Sequence, residues 1–244
     1  MKKLTVLLLI LLVGITSVFA YQVSPLSAEF EARGKESSKV YTITNDGDRQ
    51  IAIELKAHIR KQNPDGSETL DDASQFFTIQ PSKVIIAPGS SQLIRVQYRG
   101  PQPKREANFR IIADQIALPV SADDPHANDM INFLFVYSTV AYVKPPKVVE
   151  KVQAVAGMLP DGRIKIEMRN TGSVHQVLTD LKIQVQGPTG TYTLTPEETE
   201  QFQGYNILTG TTLQLVTENP MDLGASSNSD LRVRVSYDYS AEGN

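Results

Sequence analysis

The sequence predicts an all-β protein of two sandwich domains in tandem, on three observations. Helical periodicity is almost absent, short β-branched stretches recur about every ten residues between turn signals, and a diproline splits those stretches into two groups. No cysteine is present, so neither disulfides, a thiol nucleophile nor a Cys-based zinc site can contribute, and stability must come from packing.

Residues 1–20 come first and read as a cleavable secretory leader. Lys2 and Lys3 precede an apolar run over 4–13, and the segment closes on Val18-Phe19-Ala20, with slim residues three and one before the expected cut at Tyr21. The apolar core barely reaches the ~20 residues a bilayer requires, so no stable membrane insertion is expected after cleavage. Removing the leader leaves 224 of 244 residues, a natural length for two sandwich-sized domains, and takes the net charge from −3 to −5. With no long basic run, nucleic acid is excluded as a partner.

The first domain is expected over 21–144, with strands at 39–44, 51–59, 84–86, 92–98 and 109–116. Asn45-Asp46-Gly47, Pro64-Asp65-Gly66 and Pro88-Gly89 supply the turn chemistry between them. Lys144-Pro145-Pro146-Lys147 cannot continue a central strand, so the boundary falls there. The second domain, 145–244, has strands at 163–169, 181–185, 191–194, 212–216 and 231–237. Each domain has an apolar strand ending in Asn-x-Gly, at Asn45 and at Asn170, which hints at a repeated architecture.

The informative segment is 130–143. Read as one long strand, it puts Ile131, Phe133, Phe135 and Tyr137 on one face and Leu134, Val136, Val140 and Tyr142 on the other. Both faces are apolar, whereas a sandwich strand usually wets one. Two readings remain open: a strand buried on both sides, or one whose second face is lent to another protein. The second predicts an edge capped by a partner or, in the free protein, by self-association.

Several patterns together resemble the PapD-like periplasmic pilus chaperones across nearly the whole mature chain. They are Ser24-Pro25 with the strand over 40–45, Phe77-Thr78-Ile79-Gln80-Pro81 followed by Ala87-Pro88-Gly89 and Leu93-Ile94-Arg95-Val96, the stretch 106–119, and 131–145 running into the hinge. The resemblance implies two immunoglobulin-like domains in a boomerang, located in the periplasm. It implies binding of pilin or fimbrial subunits by donor-strand complementation, delivery to an outer-membrane usher, and no cofactor. Ile131, Phe133, Phe135 and Tyr137 fall where the family's donor side chains lie. The family's cleft Arg and Lys, which hold a subunit carboxylate, correspond to Ser27 and Val140, and neither is basic. Arg33 and Lys144 are displaced from those places. The family's interdomain charge network has Glu106 and Lys144 at corresponding positions, with Asp222 or Asp230 as third member, and Arg95 is read as structural.

Enzyme signals are missing: there is no Gly-x-Ser-x-Gly elbow, His-Glu-x-x-His helix, phosphate loop or dinucleotide fingerprint. Asp123, Asp124 and His126 share a Pro-containing loop and read as solvated rather than as a metal site. Glu197-Glu198 and Asp71-Asp72 are adjacent residues whose carboxyls point apart, unlike the facing pair that glycoside hydrolysis requires. The rival readings are a structural or adhesive surface protein of two immunoglobulin-like domains and, more weakly, a hydrolase or carbohydrate binder with a site built from loops.

Overall fold

The computed structural model describes residues 21–118, 133–218, 223–225 and 227–238. The expected leader, Ile131, Asp222 and the Asp123, Asp124 and His126 loop therefore lie outside the described residues. Among those described, no helix is long and apolar enough to cross a membrane, and no cluster of His, Asp and Glu could hold a metal ion.

The N-terminal sandwich contains β1 (Tyr21–Ser24), β2 (Ser27–Phe30), β3 (Ser38–Asn45), β4 (Ile51–Gln62), β5 (Glu68–Asp72), β6 (Phe77–Gln80), β7 (Lys83–Ile86), β8 (Ser91–Tyr98), β9 (Ala107–Ile116) and β10 (Val136–Val143). One sheet has the order β1-β3-β8-β6; the other runs β2-β10-β9-β4-β5, with β7 also pairing with β4. Period-two patterning selects the inner faces. On β3, Tyr41, Ile43 and Asn45 are buried while Val40 is exposed. Phe30, Ile53, Ile94 and Ile111 meet them between the sheets. Phe77 makes edge contacts with Phe30, Tyr98 and Phe109 at ring-centroid distances of 5.6, 5.3 and 5.0 Å.

The C-terminal sandwich packs β11 (Val152–Met158), β12 (Ile164–Asn170) and β16 (Thr212–Thr217) against a sheet centred on β13 (Gln176–Gln186). β13 pairs with β14 (Thr191–Thr193) and β15 (Tyr205–Ile207) on one side and β17 (Arg232–Asp238) on the other. Ile164, Ile166, Met168, Leu178 and Ile183 are fully buried between the layers. A short helix, α1 (Pro196–Thr199), is capped reciprocally by Thr195 and Glu198.

The Asn-x-Gly repeat has a structural basis. Asn45 Oδ1 accepts from the Gly47 amide, and its Nδ2 donates to Ile86 O and Arg49 O. Asn170 does the same with Gly172, Ile207 O and Val174 O. Both asparagines are buried, each bonded to main chain on three sides. Gly172 also lets the interdomain linker approach: a Cβ there would lie 2.3 Å from Val149 O.

The strand expected over 130–143 is shorter. Regular pairing begins at Val136; 133–135 are described outside it and 130–132 lie outside the described residues. Phe135 O still accepts from the Gln115 amide, but the Phe135 amide is taken by the Gln115 side chain, and this ends the ladder.

Candidate functional site

β10 is only partly covered. On one side β9 pairs with its whole length, from Val136 opposite Asp114 to Val143 opposite Ala107. On the other, parallel β2 covers only 140–143, where Val140 N donates to Leu26 O. Residues 136–139 have no second strand among those described, which leaves an edge with main-chain groups available for pairing. The two side-chain stripes differ along this edge. Phe135 and Tyr137 turn inward against the N-terminal core, with Tyr137 4.7 Å from Tyr21 between ring centroids. The Tyr21 hydroxyl donates to Ala113 O, and burial pushes its pKa up. Phe133, on the same stripe, is 69% exposed, and from the opposite stripe Leu134 and Val136 are 50% and 61% exposed. Leu26, 62% exposed, lies beside the start of β2. The apolar surface at this edge thus comes from both stripes, whereas Phe135 and Tyr137 belong largely to the domain's own packing.

Ser27 and Val140 are direct register partners, so the fold brings together the two positions expected to correspond to the family's cleft pair. The next residue across the sheet is Arg110, in register with Val140. Its Nε and Nη2 clamp the Glu68 carboxylate at 2.9 to 3.1 Å. Arg60 grips the same carboxylate through Nε, at 2.7 Å, and Nη2. Burial opposes ionisation of Glu68, but the two guanidiniums outweigh it and hold its pKa below the usual carboxylate range. Two guanidiniums against one carboxylate leave a surplus positive charge beside Val140.

One register step further, about 7 Å along the strands, the sheet meets the second domain. The Tyr142 ring stacks on His175 at 4.0 Å and 18°. Its hydroxyl accepts from Asn206 Nδ2 at 2.6 Å and Arg60 Nη1 at 3.3 Å, and burial raises its pKa. Glu106 accepts from the His175 amide at 3.1 Å and meets His175 Nδ1 at 2.8 and 3.0 Å through its two oxygens. Gln62 bridges the domains by donating to Asn206 O while accepting from the Leu208 amide and Thr211 Oγ1.

The expected interdomain network is therefore corrected in its membership. Glu106 faces the second domain, and among the described residues its side-chain partner is His175 rather than Lys144 or Asp230. Lys144 pairs with Glu29 of its own domain, because that carboxylate lies opposite Tyr142 in the β2 register. Asp230 instead caps a short turn by accepting from the Ser227 amide. Arg33 donates to Ala32 O and Gly100 O, away from Val140. Arg95 is exposed on β8, opposite Val40 of β3 and Gln80 of β6. Sequence reasoning missed Arg60, Arg110, Gln62 and His175, whose proximity depends on long-range register; a cue for Arg110 lay in its place within the otherwise β-prone stretch 107–116.

Residues 23–146 match the family described as pili and flagellar-assembly chaperone, PapD N-terminal domain. The probable fimbrial chaperone EcpB of Escherichia coli O157:H7 (strain EC4115) is 27% identical over 148 residues, spanning 59% of this chain and 65% of that protein, just under two thirds of its length. EcpB of Klebsiella pneumoniae (strain 342) is 26% identical over 162 residues, 65% of this chain and 72% of the relative. The class 5 fimbriae chaperone CfaA shares the fold at a TM-score of 0.56 and 13% identity, covering 90% of this chain and 100% of CfaA. The CsuC–CsuE chaperone–tip adhesion subunit complex of Acinetobacter baumannii matches at 0.55 and 12% identity, covering 82% of this chain and 91% of the matched one.

Proposed function

This chain belongs to the PapD-like pilus and fimbrial assembly chaperones, and from that membership we propose that it works in the periplasm, lending the edge of β10 to fimbrial subunits until an outer-membrane usher receives them. The single observation that carries the reading is the edge at 136–139, uncovered among the described residues and flanked by exposed Phe133, Leu134 and Val136. An incomplete subunit sheet pairing there would gain main-chain hydrogen bonds, with register set by the apolar side chains. Of the stripe Ile131, Phe133, Phe135 and Tyr137, Phe133 is the exposed member that would enter the subunit at its outer end, whereas Phe135 and Tyr137 pack within the chaperone's own domain. In the free protein the same edge can be satisfied by self-association. The solved relative CsuC is bound to a tip adhesion subunit, which supports a fimbrial subunit as partner. Export through residues 1–20 is part of the same proposal.

Arg110 supplies, one strand over, the positive charge that Ser27 and Val140 lack. A subunit's terminal carboxylate lying over Val140 would meet a guanidinium already oriented by Glu68.

The test is a periplasmic pull-down of the tagged mature protein beside Phe133→Asp/Val136→Asp, both exposed positions at which folding should be unaffected. The wild type is expected to bring down a fimbrial subunit that the variant loses while its circular dichroism and melting are unchanged. Equal recovery by the folded variant would sink the donor-edge reading. Phe135→Asp is a poor probe, because Phe135 packs against the N-terminal core and its loss confounds binding with folding.

A further inference from the structure

The C-terminal sandwich is open along one side. β11 pairs with β12 and β17 with β13, and although β11 and β17 run beside each other, no ladder joins them among the described residues. Their inward side chains, Val152 and Ala154 from one strand and Val233 and Val235 from the other, stay partly exposed, whereas Ile164, Ile166 and Met168 of neighbouring β12 are fully buried. A crevice of about 580 Å³ lies along this seam, lined by those four residues together with Lys182, Arg234 and the polar Gln184, Thr193 and Ser236. On the outer face of β17, Arg232 and Arg234 are exposed, and Lys182 lies beside Arg234 on the adjoining strand. None of these three cations has an acidic partner among the described residues.

We propose that this seam is a second docking site, which takes an extended polypeptide segment alternating apolar and acidic side chains. The alternation follows from β17 itself. A strand added to its free edge places successive side chains on the same two faces, so those on the inner face meet Val233 and Val235 and those on the outer face meet Arg232 and Arg234. Cross-strand complementarity then asks for apolar residues within and carboxylates without. The same logic disfavours a second copy joined β17 to β17, which would set arginines against arginines. The seam is in the domain opposite the β10 edge, so this proposal stands apart from the donor-strand reading.

The experiment titrates the intact mature protein into fluorescein-labelled (Val-Glu)4 and follows anisotropy, with (Val-Lys)4 and (Gly-Glu)4 as comparison peptides. The expected result is binding of (Val-Glu)4 at least tenfold tighter than either comparison peptide. Lys182→Glu/Arg234→Glu, both exposed substitutions, should reverse the preference for Glu over Lys, and Phe133→Asp/Val136→Asp should leave it unchanged. No binding of (Val-Glu)4 at about 1 mM protein overturns the proposal. So does a preference that survives charge reversal, equal binding of (Gly-Glu)4, or loss of binding in the N-terminal variant. A wild-type dimer on gel filtration that Lys182→Glu/Arg234→Glu converts to monomer would assign the seam to a second copy and also overturn it.

Discussion

Removing the Glu106–His175 contact should loosen the coupling of the two domains, which Gln62 and the Tyr142–Asn206 bond also join. The Glu106 side chain is 2% exposed and that of His175 17%, so water cannot readily replace either partner. Glu106→Gln keeps the volume and an acceptor for the His175 amide but removes the charge facing Nδ1. A hydrogen bond to a charged group contributes about 1.5–3 kcal/mol, so a loss of about 2 kcal/mol is expected. His175→Ala removes the same bond and the ring stacked on Tyr142, for a loss of about 2–3 kcal/mol. Because both substitutions delete one interaction, the double variant should fall short of their sum by at least 1 kcal/mol, within the range found for contacting residues. The assay is equilibrium urea unfolding followed by circular dichroism, since the chain has no tryptophan. As this contact crosses the domain boundary, the double variant should also unfold over a broader transition than the wild type. Single-substitution losses that add to within about 0.3 kcal/mol, with a transition of unchanged width, would refute the assignment of this pair as an interdomain tie.

Two further outcomes follow from buried polar groups. Glu68→Gln should destabilise by about 3 kcal/mol at neutral pH, because it leaves two guanidiniums without their carboxylate. As the folded pKa of Glu68 is depressed, the wild type's advantage is fully present above the unfolded value of about 4.3 and is lost as pH falls through the lower folded value; melting curves that keep their separation throughout acid titration would contradict this. Asn170→Ala removes three main-chain bonds at a fully buried site, with an expected loss of about 3 kcal/mol and a fall in Tm of roughly 6–12 °C; a fall below about 2 °C would show that water or backbone adjustment compensates.

Local chemistry was legible and long-range pairing was not. The alternation of Tyr41 and Ile43 and the Asn-x-Gly turns located strands because each depends on neighbours within a few residues. The diproline implies a boundary for the same reason, and the segment after it is held by Ser173, whose hydroxyl accepts from Val149 N and donates to Lys147 O. The orientation of 133–137 could not be read this way. When both faces of a strand are apolar, period two identifies two stripes without saying which one the domain keeps; the core took Phe135 and Tyr137 and left Leu134 and Val136 outside. His175 was equally opaque, since nothing near it in sequence indicates that a glutamate 69 positions earlier lies against its ring.

The cleft shows how a charge can move without changing the surface that presents it. Ser27, Val140 and Arg110 occupy one row across β2, β10 and β9, so on the proposed reading the basic group that the first two positions lack is supplied by the third within the same row. The move alters the character of the charge. A lysine near the end of an edge strand would be a hydrated, mobile cation, whereas Arg110 is clamped through two of its nitrogens by Glu68, which Arg60 also holds. An arriving carboxylate would meet a donor whose orientation is already fixed, at a site carrying a single surplus charge. On the proposed reading, specificity in this cleft therefore depends on the Arg60–Glu68–Arg110 geometry as much as on charge, and Tyr142 extends that dependence to the hinge: its hydroxyl accepts from Arg60 on one side and from Asn206 of the second domain on the other. On that reading, a subunit that displaced Arg110 would disturb the carboxylate that orients Arg60, and through Arg60 the Tyr142 hydroxyl that Asn206 also holds.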